Sequence, residues 1–506
     1  MSRNIFNSVK MMRPKKNVFD LTHDVKQTTR FGELAPCLWL ECVPGDKFKI
    51  GAETLIRFAP LISPVMHRMN ASIHYFFVPY RILWPNWEDY ITNTSSVHAP
   101  PYVDYSQIAT SHQRLGDFLG IPPQVQSGNG HPKVSAFPFA AYLKIYDDYY
   151  RDQNLIQPAW SPLTDGLQVA NLVDLVTMRN RAWEHDYFTA SLPWAQKGAQ
   201  VEIPLGDITL GQPAGGPNQF LRRGIDGSTE GNIAALGTDT PGFLVDAAGQ
   251  VPVNIDPNGS LINEATTIND LRRAFRLQEW LEKNARAGTR YIENILAHFG
   301  VNSSDKRLQR PEYICGLKTP VVISEVLNTT GAPDGLAQGN MAGHGIAAHS
   351  AKDGSYSCEE HGLIMGVMSI MPNTAYQQGI HKSWSKFDQL DYFWPTFAHL
   401  GEQEVLNQEV YAQSSDPGGT FGYVPRYSEY KFMPNRVATS FRDTLAFWHM
   451  GRIFATEPAL NQDFVECTTD NRIFAVTDPD VDNIYCDILN RITAIRPMPK
   501  YGTPMI

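Results

Sequence analysis

The stretch RNRAWEHDYFTASLPWAQKG, residues 179–198, is the most informative part of the chain. It places Trp183, Tyr187, Phe188 and Trp194 among alternating charges and ends on a glycine. Its apolar residues follow neither the period of a helix nor the alternation of a strand. A segment with so many bulky rings and no regular period is expected to pack in place as a fixed connection between larger elements.

Outside this stretch, apolar runs bounded by turn residues predict strands along most of the chain. The predicted strands are residues 38–43 and 46–50, joined at Pro44 and Gly45, and then 72–78, 320–326, 363–371, 473–476 and 484–497. Strands spread this widely, with helices confined to the connections, favour one β-sandwich with large insertions. The first and last strands are then expected to pair, so that truncation at either end destroys the fold.

Helices are predicted in the connections. Trp84 to Trp87 opens a short helix or turn, and residues 139–150 have apolar side chains at helical spacing. A helix of about 30 residues is predicted to begin after the cap Asn269 and to stop at Gly300. Its interleaved arginines and glutamates favour a face of salt bridges. Residues 441–454 read as a helix or an aromatic-rich turn.

Composition limits the class of protein. Hydrophobic residues make up 42% and charged residues 19% of the 506 residues, with 38 glycines, 35 prolines and a formal net charge of −9. This is typical of a β-rich protein with broad interfaces, and equally of a carbohydrate-active enzyme. The N-terminal residues contain no apolar signal region, which favours synthesis in a cytoplasm. The six scattered cysteines are expected to be buried thiols without disulfides.

Two segments are candidates for contact with partners. The first, residues 1–16, is a basic N-terminal arm for DNA contact, and its cations are Arg3, Lys10, Arg13, Lys15 and Lys16. The alternative is a solvated terminus without a role. The second, residues 206–265, has the composition of a Gly-rich surface insertion, and the alternative is a surface loop without a role. That it forms an outer projection is implied by the family resemblance described below. Its candidate host-facing residues are Arg222, Arg223, Asp226 and Phe243.

No catalytic or metal centre is predicted, and no cofactor. His344, His349, Cys358 and His361 are of the residue types that bind zinc, but their spacing matches no standard zinc site. The carboxylate pairs Asp388/Asp391 and Glu402/Glu404 could serve a glycosidase only if a sugar cleft lay between them. The aromatic and basic run at residues 423–431 fits either base stacking or packing at a subunit interface.

Several short motifs, taken together, resemble the major capsid protein of the Microviridae, small phages with single-stranded DNA, and its gokushovirus-like branch in particular. The resemblance covers nearly the whole chain, and residues 179–198 belong to it. The other motifs, in chain order, are residues 43–48 (VPGDKF), 75–84 (YFFVPYRILW), 151–154 (RDQN), 307–313 (RLQRPEY), 400–404 (LGEQE), 430–434 (YKFMP), 447–450 (FWHM) and 498–504 (MPKYGTP).

The resemblance implies a mainly β fold, a single eight-stranded antiparallel viral jelly roll over residues 1–506 with long insertions that contain a few helices. It implies a structural protein, not an enzyme, that self-assembles into a T=1 icosahedral shell around circular single-stranded DNA. The implied partners are other copies of the chain, the genomic DNA, a small basic DNA-condensing protein, an internal scaffolding protein, a DNA pilot protein and a host surface receptor. The implied location is the virion, after synthesis and assembly in the bacterial cytoplasm. A β-rich carbohydrate-binding or carbohydrate-active protein is the alternative.

Overall fold

The fold was analysed in a computed structural model. It describes residues 15–94, 97–104, 108, 112–123, 133–199, 201, 268–327, 341–350, 353–478 and 480–501, and the backbone of short strands between residues 208 and 263. The chain divides into two compact units, one formed by residues 1–195 with 287–506 and the other by residues 196–286. The basic arm falls mostly outside the described residues, as does most of the 206–265 insertion.

The protein is mainly β, with antiparallel sheets. The first strands of the larger unit are β1 (Asn17–Asp20), β2 (His23–Thr29), β3 (Ala35–Cys42), β4 (Lys47–Phe58), β5 (Met69–Pro79), β6 (Tyr102–Asp104) and β7 (Lys133–Ser135). The strands of the smaller unit come next in the chain, and they are β8 (Ile208–Leu210), β9 (Leu221–Arg223), β10 (Thr229–Glu230), β11 (Val253–Ile255) and β12 (Leu261–Asn263). The larger unit then continues with β13 (Glu312–Pro320), β14 (Val322–Leu327), β15 (Met341–Ser350), β16 (Gly354–Ser357), β17 (Gly362–Pro372), β18 (Glu402–Leu406), β19 (Thr420–Pro425) and β20 (Ile484–Arg496).

The helices are short, apart from one. They are α1 (Tyr80–Leu83), α2 (Trp87–Ile91), α3 (Arg114–Phe118), α4 (Phe137–Ile145), α5 (Leu172–Val176), α6 (Ile268–Ala287), α7 (Tyr291–Phe299), α8 (Asn407–Val410) and α9 (Gln462–Val465). A π-helical turn, Tyr146–Tyr150, continues α4, so the predicted helix at residues 139–150 is confirmed. Among the described residues no helix is long and apolar enough to cross a membrane.

Two sheets of the larger unit pack face to face. One sheet has seven strands, and five of them lie in the order β1-β20-β4-β15-β14. In the same sheet β2 also pairs with β20, and β16 also pairs with β4. The other sheet has four strands, in the order β13-β5-β17-β3. Side chains from both sheets form one core cluster, for example Ile56, Ile488, Ile73 and Met368. Burial of apolar surface between the sheets is the main source of stability of this unit.

A hydrogen-bonded polar group also ties the two sheets together. Asn490 on β20 is fully buried, and its Oδ1 accepts from the Tyr75 hydroxyl of β5 at 3.0 Å. Its Nδ2 donates to the carbonyl of Cys37 on β3 at 3.0 Å. Because both polar ends of this amide are satisfied, its burial carries little penalty and fixes how the sheets sit on each other.

The four-stranded sheet is covered on both faces. Along β17, Ile364, Met368 and Ile370 enter the core between the sheets, while Leu363 and Met365 enter a second core. Side chains of α1 and α4 belong to that second core. Since both faces of β17 are buried, its sequence is a continuous apolar run without polar alternation.

The structure confirms most predicted strands but changes how the chain ends pair. The predicted first strand, residues 38–43, is β3, which lies in the opposite sheet from the last strand, β20. The strands that pair with β20 are β1 and β2, which the sequence analysis did not assign. The predicted strand at residues 473–476 is wrong: Phe474 forms only an isolated bridge with Leu61.

The predicted long helix is also corrected. It is broken after α6 by Gly288, whose φ of +100° a helix cannot adopt, and Gln153 Oε1 accepts from the Thr289 and Arg290 backbone N–H groups just ahead of α7. Asn269 lies inside α6 and is not its cap, whereas Gly300 ends α7 in the left-handed conformation, as predicted. Of the two alternatives for residues 441–454, the structure shows the aromatic-rich turn, with 3-10 turns at Thr439–Phe441 and Ala446–Trp448.

The connection at residues 179–198 packs in place, as predicted. Trp183, Tyr187 and Phe188 are buried. Backbone bonds join Trp183 N–H to the Val465 carbonyl at 2.8 Å and Leu192 N–H to the Tyr423 carbonyl at 2.9 Å. The segment is therefore a fixed, packed connection within the larger unit. In the sequence, that unit is interrupted after Ala195 by the smaller unit.

Candidate assembly surface

A concentrated set of exposed apolar side chains lies on two neighbouring segments, residues 384–400 and 430–433. We call it the aromatic surface. Its members, each about half exposed or more, are Trp384, Phe387, Leu390, Tyr392, Phe393, Trp394, Leu400, Tyr430, Phe432 and Met433. A large aromatic side chain buries 150–250 Å² when fully covered, so half of that for each of the seven aromatic members adds up to about 700 Å², to which the three aliphatic members add. A monomer normally exposes apolar patches of ~300–600 Å², so this area indicates an interaction surface.

Local hydrogen bonding fixes the shape of the first segment. Asp391 Oδ2 accepts from the backbone N–H groups of Phe387 and Asp388, both at 2.9 Å, and Asp388 Oδ1 accepts from Gln389 N–H at 2.6 Å. Together they cap the 3-10 turn Gln389–Asp391. The backbone hydrogen bonds lower the pKa of Asp391, because they stabilise the charged carboxylate. The predicted pair Asp388/Asp391 is therefore used to cap a turn.

A buried ion pair anchors the same segment to the β18–β19 hairpin. Lys386 Nζ lies 2.9 Å from Glu429 Oε1, and both side chains are almost fully buried. Gln403 Nε2 donates to Glu429 Oε2 at 2.6 Å. Burial by itself would raise the pKa of Glu429, but the hydrogen bonds from Gln403 and Lys386 outweigh it, and the pKa is lowered overall.

Aromatic rings complete this anchor. The Lys386 ammonium also lies 3.9 Å from the centre of the Tyr430 ring, and the Phe393 ring packs edge-on against Tyr427 at 5.0 Å. Tyr427 is buried, while Tyr430 is exposed. The run at residues 423–431, which the sequence left open between base stacking and interface packing, thus supports the aromatic surface from below and contributes Tyr430 to it.

The pair Glu402/Glu404 lies on β18, in the hairpin beneath. Gln403 between them is buried, and its Oε1 accepts from Tyr427 N–H at 2.8 Å. Lys382 Nζ donates to the backbone carbonyl of Glu404. The strand therefore supports the aromatic surface through the Gln403 side chain and the Glu404 backbone carbonyl.

A hollow of about 530 Å³ opens beside the aromatic surface. Its walls include Tyr187, Phe188 and Tyr376 from the third core cluster, and Trp384, Met433 and Arg436 also line it. Glu409, another lining residue, is buried and satisfied: its Oε2 accepts from the Tyr187 hydroxyl and its Oε1 from Leu406 N–H. The hollow is thus built on a fixed base, and its lining combines aromatic rings with polar and charged side chains.

The predicted DNA-contact and host-facing residues are only partly visible. Arg3, Lys10, Arg13, Asp226 and Phe243 lie outside the described residues. Lys15 is exposed, and Lys16 Nζ donates to the Gly45 carbonyl at 2.6 Å. Arg222 and Arg223 lie on β9, which pairs with β10 and β11 through its backbone. Their side chains are not described.

The four residues of zinc-binding type are used in different ways. His344 and His349 are five positions apart on β15 and so point to opposite faces of the strand. The His361 ring packs against Trp87, with centroids 5.7 Å apart, and Cys358 is buried beside Cys42. Within the described residues no group of three or more His, Cys, Asp or Glu residues is arranged to hold a metal ion.

All six cysteines are free thiols, and five of them are buried. A hydrogen bond from Cys358 and burial raise the pKa of Cys42 far above its ordinary value, and burial raises that of Cys37 to about 12. Such thiols stay protonated at neutral pH, and a protonated thiol is neither a good nucleophile nor a metal ligand.

The sequence analysis named the run at residues 423–431, which contributes Tyr430, but missed the larger part of the aromatic surface, because it considered only the acids of residues 384–400. The signal was present: KSWSKFDQLDYFWPTFAHL, residues 382–400, is rich in aromatic residues without the alternation of a strand or the stripe of a helix. A run of this kind, broken by a proline and by capping aspartates, forms turns that leave several rings without partners in the same chain.

Comparison with known proteins relates the whole chain to viral capsids. The family described as capsid protein (F protein) matches residues 7–506. The capsid protein VP1 of Bdellovibrio phage phiMH2K is 37% identical over 99% of this chain and 97% of its own length. The capsid proteins VP1 of Chlamydia phage 1 and Spiroplasma virus 4 are 32% and 29% identical, over 97% and 94% of their lengths. The chain therefore belongs to the capsid protein (F protein) family.

Proposed function

We propose that this chain is the structural major capsid protein of a small phage, and that copies of it assemble into a T=1 icosahedral shell around a circular single-stranded DNA genome. Membership of the capsid family over nearly the full length supports this role. The observation that supports it at residue level is the aromatic surface, because such an area of rigidly held, exposed apolar side chains marks an interaction surface. The role is structural and requires no catalytic centre.

The strand order supports a jelly roll as the fold of the subunit. Four strands of the seven-stranded sheet run in the order β2-β20-β4-β15, and those of the other sheet in the order β3-β17-β5-β13. In chain order the eight strands are β2, β3, β4, β5, β13, β15, β17 and β20. Each lies in the opposite sheet from the one before it, except that β13 lies in the same sheet as β5 and pairs with it. We assign these eight as the jelly-roll strands, with the remaining strands as additions and insertions.

The charge of the chain bears on how the genome is held. A subunit with a net charge of −9 cannot neutralise DNA through its overall charge. The proposal therefore includes a small basic DNA-condensing protein, with the arm cations Arg3, Lys10, Arg13, Lys15 and Lys16 as additional phosphate contacts. The internal scaffolding protein, the DNA pilot protein and the host surface receptor complete the expected partners, with residues 206–265 as the host-facing part.

The first test is the mass and shape of the purified protein, made alone and together with the other phage proteins in bacteria. Light scattering and negative-stain microscopy are expected to show closed icosahedral particles, or rings that close under assembly conditions. A protein that stays monomeric in both preparations would contradict the capsid role and reopen the carbohydrate-binding alternative.

The same particles test the arm. Deletion of residues 2–16 is expected to lower the amount of packaged DNA, or the stability of the particle in low salt, because phosphate contacts are lost. The natural comparison is full-length protein produced in parallel. Unchanged packaging and stability would show that the arm does not hold the genome.

A further inference from the structure

We propose that the aromatic surface is a two-fold contact, in which two copies of this chain each insert the turn at residues 387–391 into the hollow beside Trp384 and Met433 of the other. The inference rests on the proposed capsid function and deepens it, since it names the residues of one subunit contact and its symmetry.

The inserted element is Phe387 on a fixed backbone. Its side chain is 91% exposed, more than any other large apolar side chain among the described residues. Its own N–H is nevertheless held by Asp391, and Lys386 next to it is buried against Glu429. The ring is therefore presented to solvent by a backbone that does not have to be ordered on binding, which lowers the entropic cost of association.

The receiving element is the hollow. Trp384 and Met433 line the hollow and are 75% and 78% exposed, so most of the surface of each side chain is free to be buried by a partner. Arg436 also lines the hollow and is exposed, and its guanidinium makes no ion pair or hydrogen bond in the described part of the chain. The hollow thus combines aromatic side chains with one positive charge that has no partner among the described residues.

The turn at residues 387–391 complements this hollow in shape and in charge. Phe387 is followed by Asp388, and Asp391 is the next acid along the turn. An aromatic ring with carboxylates at its side matches an apolar hollow with an unpaired guanidinium at its edge. Arginine is well suited to such a contact, because its planar group pairs with a carboxylate through two parallel hydrogen bonds.

A second copy of the chain is the partner that these features identify. The turn and the hollow lie side by side, since Trp384 precedes Phe387 by only three residues, yet Phe387 is exposed and does not fill the hollow of its own chain. A patch that carries both a feature and its complement is self-complementary, as a two-fold interface requires. The about 700 Å² of its aromatic side chains, with the aliphatic members added, is comparable with the ~800 Å² that each partner buries in a stable complex.

Cysteine cross-linking tests the contact directly. Phe387→Cys combined with Met433→Cys places one thiol on the turn and one at the hollow, and mild oxidation of assembled particles with copper–phenanthroline is expected to give covalent dimers on a denaturing gel. The matched control combines Phe387→Cys with Val173→Cys, an exposed residue of α5 outside the aromatic surface, and is expected to stay uncross-linked. Five of the six native cysteines are buried, so their background is low.

The pattern of products separates the outcomes. A reciprocal two-fold contact closes after two subunits, whereas a ladder of trimers and larger species would show a head-to-tail contact and overturn the two-fold assignment. Particles that form without cross-links would overturn the contact while leaving the capsid function intact. If the unmodified chain forms no particles with the phage proteins, it is the capsid function that fails. In the Phe387→Cys variant, protection of the introduced thiol from a thiol reagent by a single-stranded oligonucleotide, without dimers, would identify DNA as the occupant instead.

Charge reversal tests the same contact without cysteines. Arg436→Glu is expected to weaken subunit dimerisation, measured by sedimentation equilibrium, at least tenfold. Adding Asp388→Lys to that variant is expected to restore part of the loss, because the pair of opposite charges is rebuilt across the interface although the cap of the turn is removed. Asp388→Lys alone controls for damage to the capped turn. No recovery in the double variant, with both single variants folded, would contradict the pairing.

Discussion

Two apolar stretches that lie close in sequence differ in burial, since one is buried in this subunit and the other is exposed. Every residue of β17, Gly362–Pro372, is buried. Twelve residues further on, the segment 384–400 is also rich in large apolar residues, yet Trp384, Phe387 and Trp394 are exposed. Hydrophobicity does not distinguish the two stretches, so the difference in their burial must come from the strands and side chains that surround each of them.

The strand β17 has partners on every side. It pairs with β5 and β3 along its edges, and its two faces enter two different cores. The segment 384–400 rests on a two-stranded hairpin, β18–β19, and is held there by one buried ion pair and a few ring contacts. An apolar sequence therefore shows that a surface must be covered, but not which chain covers it: β17 is covered by its own chain, and we propose that the aromatic surface is covered by another copy.

The sharpest test of this contrast removes the strands that complete the covered region. Deletion of residues 17–29 is expected to abolish folding, because β1 and β2 are neighbours of β20, which otherwise keeps only β4. Soluble yield and circular dichroism measure the effect. Deletion of residues 2–13 is the matched control and is expected to leave the fold intact. Folded protein with the β1–β2 deletion would show that the sandwich does not depend on its outer strands.

Single substitutions in the two stretches should separate stability from assembly. Met368→Ala on β17 removes fully buried methylene groups and is expected to lower the free energy of unfolding by about 2–5 kcal/mol. Phe387→Ala removes a side chain that the same subunit leaves in water, and is expected to change it by less than about 0.5 kcal/mol. Urea unfolding of unassembled subunits gives both values.

Particle formation by the same two variants completes the comparison. We expect Phe387→Ala to assemble only at a subunit concentration at least tenfold higher than the unmodified chain needs, although the subunit is stable, and Met368→Ala to assemble at temperatures where it is still folded. A large loss of stability in Phe387→Ala would mean that its ring packs within its own subunit in solution. The contrast between the two stretches would then be lost.

The sequence predicted the sandwich better than the surface, for a physical reason. Strands such as residues 363–371 and 484–497 carry their own signal, because burial on one or two faces imposes a period on the apolar residues. β1 and β2 were missed since they lie at the edge of the sheet, where NVFD and HDVKQTT contain many polar residues. The 473–476 strand was predicted from apolar content alone, but those residues bond to Pro60 and Ile62 and bridge to Leu61, just past the end of β4, which makes an isolated bridge and not a strand.

Long-range contacts explain the other misses. The helix break at Gly288 depends on Gln153, more than 130 residues away, which no local pattern reveals. The capping role of Asp388 and Asp391 depends on the direction of backbone N–H groups, so spacing alone left them as candidate catalytic carboxylates. The aromatic surface needed a count of exposed area, which exists only once the chain is folded.

The weakest of the expected effects concerns acid. Glu429 and Asp391 both have a lowered pKa in the folded subunit, so their stabilisation of the aromatic surface is complete above the ordinary carboxyl pKa. It is lost as the pH falls through the lowered, folded value, that is, below pH about 4. We expect the segment 384–400 to loosen in that range.

A fluorophore attached through Phe387→Cys reports this loosening as a fall in fluorescence anisotropy. The added variant Glu429→Gln removes the charge that Lys386 pairs with, and is expected to give low anisotropy already at pH 7 with a smaller change on acidification. Because Asp391 keeps its own backbone hydrogen bonds, a residual acid response should remain in that variant. If anisotropy fell only together with the circular dichroism of the sheets, the aromatic surface and the sandwich would unfold as one unit, and the distinction between them would be one of exposure only.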